Sequence, residues 1–472
     1  MKRDFPQFLF CAFLLIAAVP ALSSAQSSQS SPSPVPQHQL ARDIFKELIE
    51  INTSLNAGST KAAEAMAARL KGAGFQESDM FLGGPSPEHW NLVVRYRGKG
   101  NLRPILFIGH LDVVDALPSD WSFDPFTFLE KDGFFYGRGT SDMKSEDADI
   151  VANFIRLRKE GFVPNRDIIV ALTEDEENGD ANGVRWLLAN HRKLIDAEFC
   201  INLEGGGGDM QKGKHIMMEV QTSEKVYVSF QLEVKNKGGH SSKPVKENAI
   251  YRLAAGLTRL ATFEFPFRLN ETTRTFFERT AQRESGQTKA DMNAIVKTPL
   301  DTDAASRLAA SSPYYNALLR TTWVPTMLSG GHAENALPQS ARAIINSRML
   351  PDERVEDVMA LLHRVLADSQ IIVTQVAPPS PGPLSPLRKD VMDLVEKLTS
   401  SMWPGVIVTP VMSTGASDGK FLRQVGIPVY GVSGIFGDID DDRAHGRDER
   451  IGVKEFYDGV DFMYKFVKTL TE

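Results

Sequence analysis

Three apolar segments of this chain each run directly into histidine or acidic residues. Residues 105–112 read ILFIGHLD, so that His110 and Asp112 close the first segment. Residues 167–172 (DIIVAL) lead into TEDEENGD, and residues 198–203 (EFCINL) lead into Glu204. Continuous apolar runs of this length are typical of strands covered on both faces. We therefore expect an α/β sheet with imidazole and carboxylate groups along the edge where its strands end, which is where open α/β sheets hold ligands.

The order of segments along the chain predicts two kinds of sheet. From about residue 38 to 222, helical and strand-like patterns alternate, which favours a central, mostly parallel sheet. After residue 224 the sequence KVYVSFQLEVK alternates apolar and polar residues, as expected for a sheet with one solvated face. The segments that follow predict the order strand–helix–strand–strand–helix–strand of a ferredoxin-like domain. They are interrupted by an insert at about 263–318, which we expect to be irregular.

These patterns divide the chain into a larger and a smaller domain. The predicted fold class is α/β with a central, mostly parallel sheet, plus an inserted α+β ferredoxin-like domain at 224–378. The larger domain takes residues 40–223 and resumes at 379–472, and the proline-rich APPSPGPLSP marks the exit from the smaller domain. A chain of 472 residues is long enough to form two cores.

The N-terminus has the pattern of a secretory signal peptide. Lys2 and Arg3 precede an apolar run over about 8–22 and the small residues Ser23-Ser24-Ala25. We expect residues 1–25 to be removed and residues 26–39, rich in Ser, Pro and Gln, to form a disordered linker. The mature protein would be periplasmic or secreted, with no membrane attachment. The formal net charge of −7 and the lack of a long basic run argue against a nucleic-acid partner.

Acidic and histidine residues recur where other predicted strands end or helices begin. They are Asp142 in GRGTSDMKSED, Glu176 and Glu177 in TEDEENGD, Glu204 in NLEGGGGD and His445 in RAHGRDER. Each has an ordinary alternative as a helix cap, a solvated loop residue or a hydrogen-bonded strand end. Together with His110 they place two histidines and several carboxylates at one sheet edge. Such ligands suit zinc, and two cations sharing a bridge would offset the repulsion between the carboxylates.

Six motifs in this order resemble the two-zinc aminoacylase/carboxypeptidase family of metallopeptidases, which includes carboxypeptidase G, carboxypeptidase S and carnosinase. The motifs are GHLDVV, GRGTSDMK, EDEENG, NLEGG, KGGHSSKP and AHGRDER. The resemblance covers the chain from about residue 40. It implies a zinc-peptidase-like catalytic domain, an inserted lid and dimerisation domain, and two Zn²⁺ ions per chain, although the same ligands would accept Co²⁺ or Mn²⁺.

Position by position, the resemblance assigns the metal ligands. His110 and Glu204 would hold one zinc ion, and Glu177 and His445 the other. Asp142 would bridge the two ions, with a cis peptide bond after it.

The resemblance also implies three catalytic roles. Asp112 would brace His110. Glu176 would be the general base that takes a proton from water and passes it to the leaving amine. His240, in KGGHSSKP, matches a lid histidine that stabilises the oxyanion and that comes from the partner subunit in dimeric relatives. For a histidine after two glycines, a turn residue is the alternative interpretation.

Three further positions match residues that bind the free carboxylate of the substrate. Asn335 lies in GHAENALP and Arg348 in NSRMLPDE. An arginine fork suits a carboxylate because it forms two hydrogen bonds with it, but a structural salt bridge is a competing interpretation for Arg348. Gly415, in STGASDGK, would present its backbone N–H, although the commoner motif has Gly-Gly where this chain has Thr414-Gly415.

The sequence thus predicts an exported metallohydrolase that cleaves the amide bond N-terminal to a free-carboxylate amino acid, in the manner of a carboxypeptidase or dipeptidase. An N-acyl amino acid amidohydrolase is the alternative, so the expected partner is a small peptide or N-acyl amino acid. A non-catalytic peptide-binding protein has less support, because Glu176 and all the ligands are present. A serine hydrolase is discounted on the expectation that no G-x-S-x-G motif follows a strand. A homodimer through the lid domain is compatible with the pattern.

Overall fold

The computed structural model of the chain describes residues 35–179 and 181–472. The predicted signal peptide and the linker up to residue 34 lie outside the described residues. The first helix begins at Pro36, so the predicted linker extends too far at its C-terminal end. His38, inside that linker, stacks on Tyr457 with ring centroids 4.5 Å apart and lies 3.2 Å from a carboxylate oxygen of Asp461. These contacts with the last helix explain why the segment is ordered.

The bounds of the regular elements follow in chain order. The helices are α1 (Pro36–Glu50), α2 (Thr60–Gly72), α3 (Lys144–Lys159), α4 (Gly183–Asn190), α5 (Arg192–Ile195), α6 (Ala249–Thr262), α7 (Glu271–Thr280), α8 (Gly286–Ile295), α9 (Thr302–Ser311), α10 (Pro313–Leu319), α11 (Val355–Leu366), α12 (Lys389–Met402), α13 (Gly419–Gln424) and α14 (Val453–Leu470). The strands are β1 (Met80–Ser86), β2 (His89–Tyr96), β3 (Leu102–His110), β4 (Leu129–Lys131), β5 (Phe134–Tyr136), β6 (Arg166–Thr173), β7 (Phe199–Asn202), β8 (Gly206–Gln211), β9 (Lys214–Glu224), β10 (Val226–Lys235), β11 (Gly239–His240), β12 (Thr322–Gly330), β13 (Ala336–Leu337), β14 (Ser340–Met349), β15 (Ile372–Gln375), β16 (Ile407–Ser413), β17 (Val429–Gly431), β18 (Phe436–Asp438) and β19 (Arg450–Gly452).

A ten-stranded sheet forms the largest layer, in the order β1-β2-β6-β3-β7-β17-β9-β8-β18, with β16 paired to β9. Its central strands β6, β3, β7 and β17 are parallel. Strands at both sides pair antiparallel. The prediction of an α/β fold with a mostly parallel centre is confirmed.

Strand β3 shows why the central strands are apolar throughout. Ile105 and Phe107 point into a core shared with α1, α3 and α14. Leu106 and Ile108 point into a second core on the opposite face, shared with α4 and α13. Because side chains alternate between faces, a strand covered by helices on both sides has no polar face.

A separate antiparallel sheet has the strand order β12-β14-β10-β15. Alternate side chains of β10, including Val228, Phe230 and Leu232, pack with Leu253 of α6 and Leu362 of α11 in a core of their own. The sheet order and the helices on one face give the predicted ferredoxin-like arrangement. Residues Pro36–Glu472 form one compact unit, so the domain boundaries at 223/224 and 378/379 stay predictions.

The expectation of an irregular insert at 263–318 is wrong, because this segment contains helices α7 to α10. Side-chain caps start three of them: Asn270 accepts from the backbone N–H of Thr273, Asp301 from that of Ala304 and Ser312 from that of Tyr315. Their apolar faces pack with Met217 of β9 and Val411 of β16. The insert therefore packs on the large sheet. In the described part of the chain, no helix combines the length and apolar character needed to span a membrane.

Candidate metal centre

The parallel strands bring their C-terminal ends to one edge of the large sheet. His110 is the last residue of β3 and lies opposite Thr173, the last residue of β6. Glu177 follows β6 in the next loop, and Glu204 follows β7, which pairs with β3 on its other side. Distant segments contribute the other two predicted ligands, Asp142 and His445, which lie just before α3 and before β19 respectively.

Asp142 lies between the two histidines. Its Oδ1 is 3.1 Å from Nε2 of His110, and its Oδ2 is 3.0 Å from Nε2 of His445. The same His445 nitrogen is 2.9 Å from Oε1 of Glu177. Ligand atoms of His110, Asp142 and Glu177 all lie within 4.8 Å of one another. Imidazole nitrogens and carboxylate oxygens in such a cluster are a donor set that fits metal ions of the zinc type.

Asp112 orients His110 through its backbone. Nδ1 of His110 is 3.0 Å from the carbonyl oxygen of Asp112, whereas the carboxylate Oδ1 is 3.6 Å away. A carbonyl oxygen can only accept, so Nδ1 carries the proton and Nε2 presents its lone pair to the cluster. The carboxylate of Asp112 accepts the backbone N–H groups of Glu176 and Glu177, each at 3.1 Å. One residue thus holds both a ligand and the loop with the expected base.

The pKa values at the site show that it favours positive charge. Burial, together with the charge of Asp142, raises the pKa of Glu204 to about 8. Burial and the charge of Glu204 raise the pKa of Glu176 well above its usual range. Hydrogen bonding to Asp142 and the charge of Glu177 raise the pKa of His445 to about 9. Crowded negative charge makes carboxyl groups harder to ionise and imidazoles easier to protonate, and bound cations would offset that charge. Raised pKa values of this kind are therefore expected at a cation site.

Glu449 is a supporting residue that the sequence did not single out. Its carboxylate accepts the backbone N–H groups of Gly139, Ser141 and Asp142 at 3.1, 2.8 and 3.2 Å, and Arg138 donates to it at 2.6 Å. The peptide bond Asp142–Met143 is cis, as the resemblance implied. Glu449 therefore fixes the turn that presents Asp142, and only its place in the polar motif RDER could have drawn attention to it.

Asp418 is a second supporting residue. Its carboxylate oxygens accept from the side chains of Asn182 at 2.5 Å and Thr173 at 3.4 Å. These two residues lie at the two ends of the loop that carries Glu176 and Glu177. Asp418 thus ties both ends of that loop to α13.

Residues 415–419 read GASDG and follow strand β16, so the expectation that no G-x-S-x-G motif follows a strand is wrong. Ser417 is nevertheless buried, and its hydroxyl donates to Oε2 of Glu224 at 2.8 Å. Glu224 in turn forms a buried ion pair with Arg423 at 2.8 Å. Across the described residues, no histidine makes a hydrogen bond to Ser417, so it lacks the base of a serine hydrolase.

His240 and Asn335 lie beside each other in a two-stranded ribbon. His240 in β11 pairs with Ala336 in β13, and the N–H of Ser241 donates to the carbonyl oxygen of Asn335 at 3.0 Å. Both residues are exposed. Within the described ranges, neither makes a hydrogen bond or ion pair with the metal-ligand cluster.

Arg348, near the C-terminal end of the inner strand β14, lies close to the segment that carries Gly415. The guanidinium of Arg348 lies 3.4 Å from the carbonyl oxygen of Thr414 and 4.7 Å from the ring centroid of Tyr227. The N–H of Gly415 donates to Oγ of Ser413 at 3.0 Å, so this contact already uses the group expected to bind substrate. Arg348 forms no salt bridge with any carboxylate of the described residues, which removes the structural interpretation left open by the sequence.

Comparison with known proteins places the site in a family. The chain is 29% identical over 376 residues to the N-fatty-acyl-amino acid synthase/hydrolase PM20D1 of Homo sapiens, covering 78% of this chain and 74% of that protein. It is 25% identical over 419 residues to carboxypeptidase S of Saccharomyces cerevisiae, covering 79% of this chain and 72% of that protein. The fold matches the M20 family metallo-carboxypeptidase Sso-CP2 of Sulfolobus solfataricus with a TM-score of 0.66 at 19% identity, covering 91% of this chain and 99% of that one. Since the model of peptidase family M20/M25/M40 matches residues 106–469, the protein belongs to that family and is a hydrolytic enzyme of the metallopeptidase and amidohydrolase type.

Proposed function

We propose that this enzyme hydrolyses the amide bond N-terminal to an amino acid with a free carboxylate, and that it uses two metal ions, with zinc as the expected metal. The observation that carries the proposal is the position of Asp142. Its two carboxylate oxygens lie 3.1 and 3.0 Å from two different histidine nitrogens, as a bridging ligand requires.

The ligands are assigned as the family resemblance implies. His110 and Glu204 would hold one ion, Glu177 and His445 would hold the other, and Asp142 would serve both. Bound there, the ions would polarise the scissile carbonyl group and lower the pKa of a water molecule. The hydrogen bond from His110 to the Asp112 carbonyl keeps the ring oriented, and the hydrogen bonds around Glu449 keep Asp142 in place.

Glu176 is proposed as the general base. The hydrogen bond from its backbone N–H to Asp112 holds it next to the ligands, at the end of β6. Burial raises its pKa, as do the charges of Glu204 and Asp418. A carboxylate with a raised pKa accepts a proton from water and retains it long enough to pass it to the leaving amine.

Arg348 is proposed to bind the free carboxylate of the substrate. Its guanidinium is half-buried and has only neutral oxygen partners among the described residues, at 3.3 Å in Asn346 and 3.4 Å in Thr414. A desolvated cation in that position favours an anionic ligand. Asn335 is proposed to assist it, and His240 to stabilise the oxyanion. Gly415 would have to exchange its hydrogen bond to Ser413 for one to the substrate.

The group on the carbonyl side of the cleaved amide bond is proposed to be an amino acid or short peptide, as in a carboxypeptidase or dipeptidase. An acyl group is the second candidate, and the similarity to the human N-fatty-acyl-amino acid synthase/hydrolase favours it. Export by the predicted signal peptide also belongs to the proposal. So does a homodimer through the small sheet, because β12 is an edge strand that could pair with a second copy.

The test is amino acid release by the zinc-loaded protein from a panel of dipeptides and N-acyl amino acids. Glu176→Gln should keep its zinc and lose activity by at least about 100-fold, because an amide cannot move protons. Glu177→Gln is the matched control: it changes the adjacent carboxylate and should lose zinc together with activity. Full turnover by Glu176→Gln would refute the role of the base. If the wild-type protein cleaves nothing in the panel, the proposed substrate class is wrong.

A further inference from the structure

A groove runs along the open face of the small sheet. It has a volume of about 560 Å³ and is lined mainly by β10, β12, β14 and the segment that leaves β15. This volume is in the range of small-molecule sites in proteins, about 300–1,000 Å³. The apolar residues that line it include Tyr227, Met327, Ile344, Val376 and Pro378.

The groove lies on the face that the helices leave uncovered. In β10 and β14, every second side chain, such as that of Phe230 or Ile345, packs under α6 and α11. The side chains between them, such as that of Ile344, point to the opposite face. Met327 stands opposite Ile344 across the β12–β14 pair and is 68% exposed. Apolar side chains left open on a sheet face of a monomer usually mark a binding surface.

One end of the groove meets the proposed carboxylate-binding residue. Tyr227 lines the groove, pairs with Arg348 across β10 and β14, and lies with its ring centroid 4.7 Å from the guanidinium. The other end is marked by Arg342, whose charge is balanced by Glu233 at 2.7 Å. The two ends are six residues apart along β14, or about 20 Å at the rise of an extended strand. Among the residues that the structure describes, the Arg348 end alone therefore offers a positive charge without a carboxylate partner.

We propose that this groove binds the side chain of the amino acid whose carboxylate is held by Arg348, and that it selects a large apolar side chain. This inference rests on the proposed function and deepens it. The carboxylate and the side chain of an amino acid branch from the same carbon atom, so a carboxylate at Arg348 places the side chain within a few bonds of Tyr227. Met327, Ile344 and Val376 would remove an apolar side chain from water, whereas a polar one would lose its hydrogen bonds there.

The experiment compares two substrates in which the cleaved amide bond joins the same acyl or aminoacyl group to leucine in one and to asparagine in the other. The two side chains are nearly equal in size and differ in polarity. For the wild-type enzyme, kcat/KM should be at least about 10-fold higher for leucine, as expected for apolar discrimination. Met327→Glu should bring this ratio close to one. Because the ratio is taken within each variant, partial loss of folded enzyme cancels.

The matched control is Tyr251→Glu, which adds the same charge at a residue 69% exposed on α6, on the covered side of the small sheet. It should leave the leucine-to-asparagine ratio unchanged. A second variant, Ile344→Ser, tests the floor of the groove without adding charge and should also lower the ratio.

The outcomes separate this inference from the proposed function. If the wild-type enzyme cleaves neither substrate nor any other in the panel, the proposed function fails. If it cleaves them but Met327→Glu and Ile344→Ser keep the wild-type ratio, the groove does not bind the side chain and the inference is overturned. A change of oligomeric state in Met327→Glu with an unchanged ratio would also overturn it, because the groove would then be an interface between copies.

Discussion

At the scale of single residues, Arg348 is the residue proposed to make the enzyme require a free carboxylate on its substrate. We expect Arg348→Ala to raise KM for free-carboxylate substrates by about 10- to 100-fold, because charge-assisted hydrogen bonds are worth about 1.5–3 kcal/mol. KM for the same substrates with a C-terminal amide should change little, since an amide does not need the positive charge. Steady-state kinetics on matched acid and amide pairs measure both effects. Arg348→Lys, which keeps the charge but loses the fork, should fall between the two. Equal losses on acids and amides would show that Arg348 supports structure instead.

Other residues show how far a sequence can identify a site. The five predicted ligands end strands or lie in motifs with unusual runs of acid and histidine, so their residue types and order carry the signal. Glu449 lies beside Asp448 in AHGRDER and Asp418 lies in STGASDGK, so the residue type of neither one sets it apart from its polar neighbours. Their importance comes from burial: Glu449 is 0% exposed and Asp418 is 3% exposed. Their partners, such as Gly139 and Asn182, are far away in sequence, and only the fold brings them close.

At the scale of elements, regular hydrophobic patterns predicted the central strands and the alternation of helices and strands around them. The helices of the insert were missed because they are short and share one core with β9 and β16, so that none has a long apolar face of its own. Strand β8 was missed for a different reason. It is built from GGGDMQ, and glycine has low strand propensity, so its pairing with β9 depends on the sheet around it.

Strands β8 and β9 also place two carboxyl groups in one cavity, which predicts a pH-dependent stability. Burial and the charge of Asp209 raise the pKa of Glu219 to about 8. In the unfolded chain this carboxyl group ionises near its ordinary value of 4.5. The folded state thus holds a proton that the unfolded state has released, and the stabilisation is lost as pH rises from about 4.5 to about 8. The amide in Glu219→Gln does not titrate. As the pH rises from 5.5 to 8.5, the Tm of this variant should therefore increase relative to the Tm of the wild type.

The control for this experiment is Glu278→Gln, which removes an exposed carboxylate from helix α7. Its Tm should follow the wild type at both pH values. If Glu219→Gln also follows the wild type, the carboxyl group of Glu219 is ionised in the folded protein at pH 5.5.

At the scale of the whole molecule, the metal centre connects distant parts of the chain. His445 and Asp142 lie 303 positions apart in sequence, yet their side chains are 3.0 Å apart. The ligands come from strand ends and loops that are anchored in two cores on opposite faces of one sheet. A metal ion that binds this arrangement of side chains, and does not bind the unfolded chain, must stabilise the folded state.

We therefore expect removal of the metal to affect both activity and stability. A chelator should abolish hydrolysis and lower Tm, and added zinc should restore both, because zinc present at 1,000 times its Kd stabilises the folded state by about 4 kcal/mol. Asp142→Asn should remove the zinc-dependent increase in Tm, since it replaces the carboxylate that contacts both histidines with a neutral amide. Asp357→Asn, an exposed change on α11, should keep that increase. Calorimetry with and without zinc measures the difference. Crowded carboxylates around a bridging aspartate are stabilised by cations bound between them. A fully active enzyme without metal, or an Asp142→Asn variant with the wild-type zinc response, would therefore contradict the two-metal site.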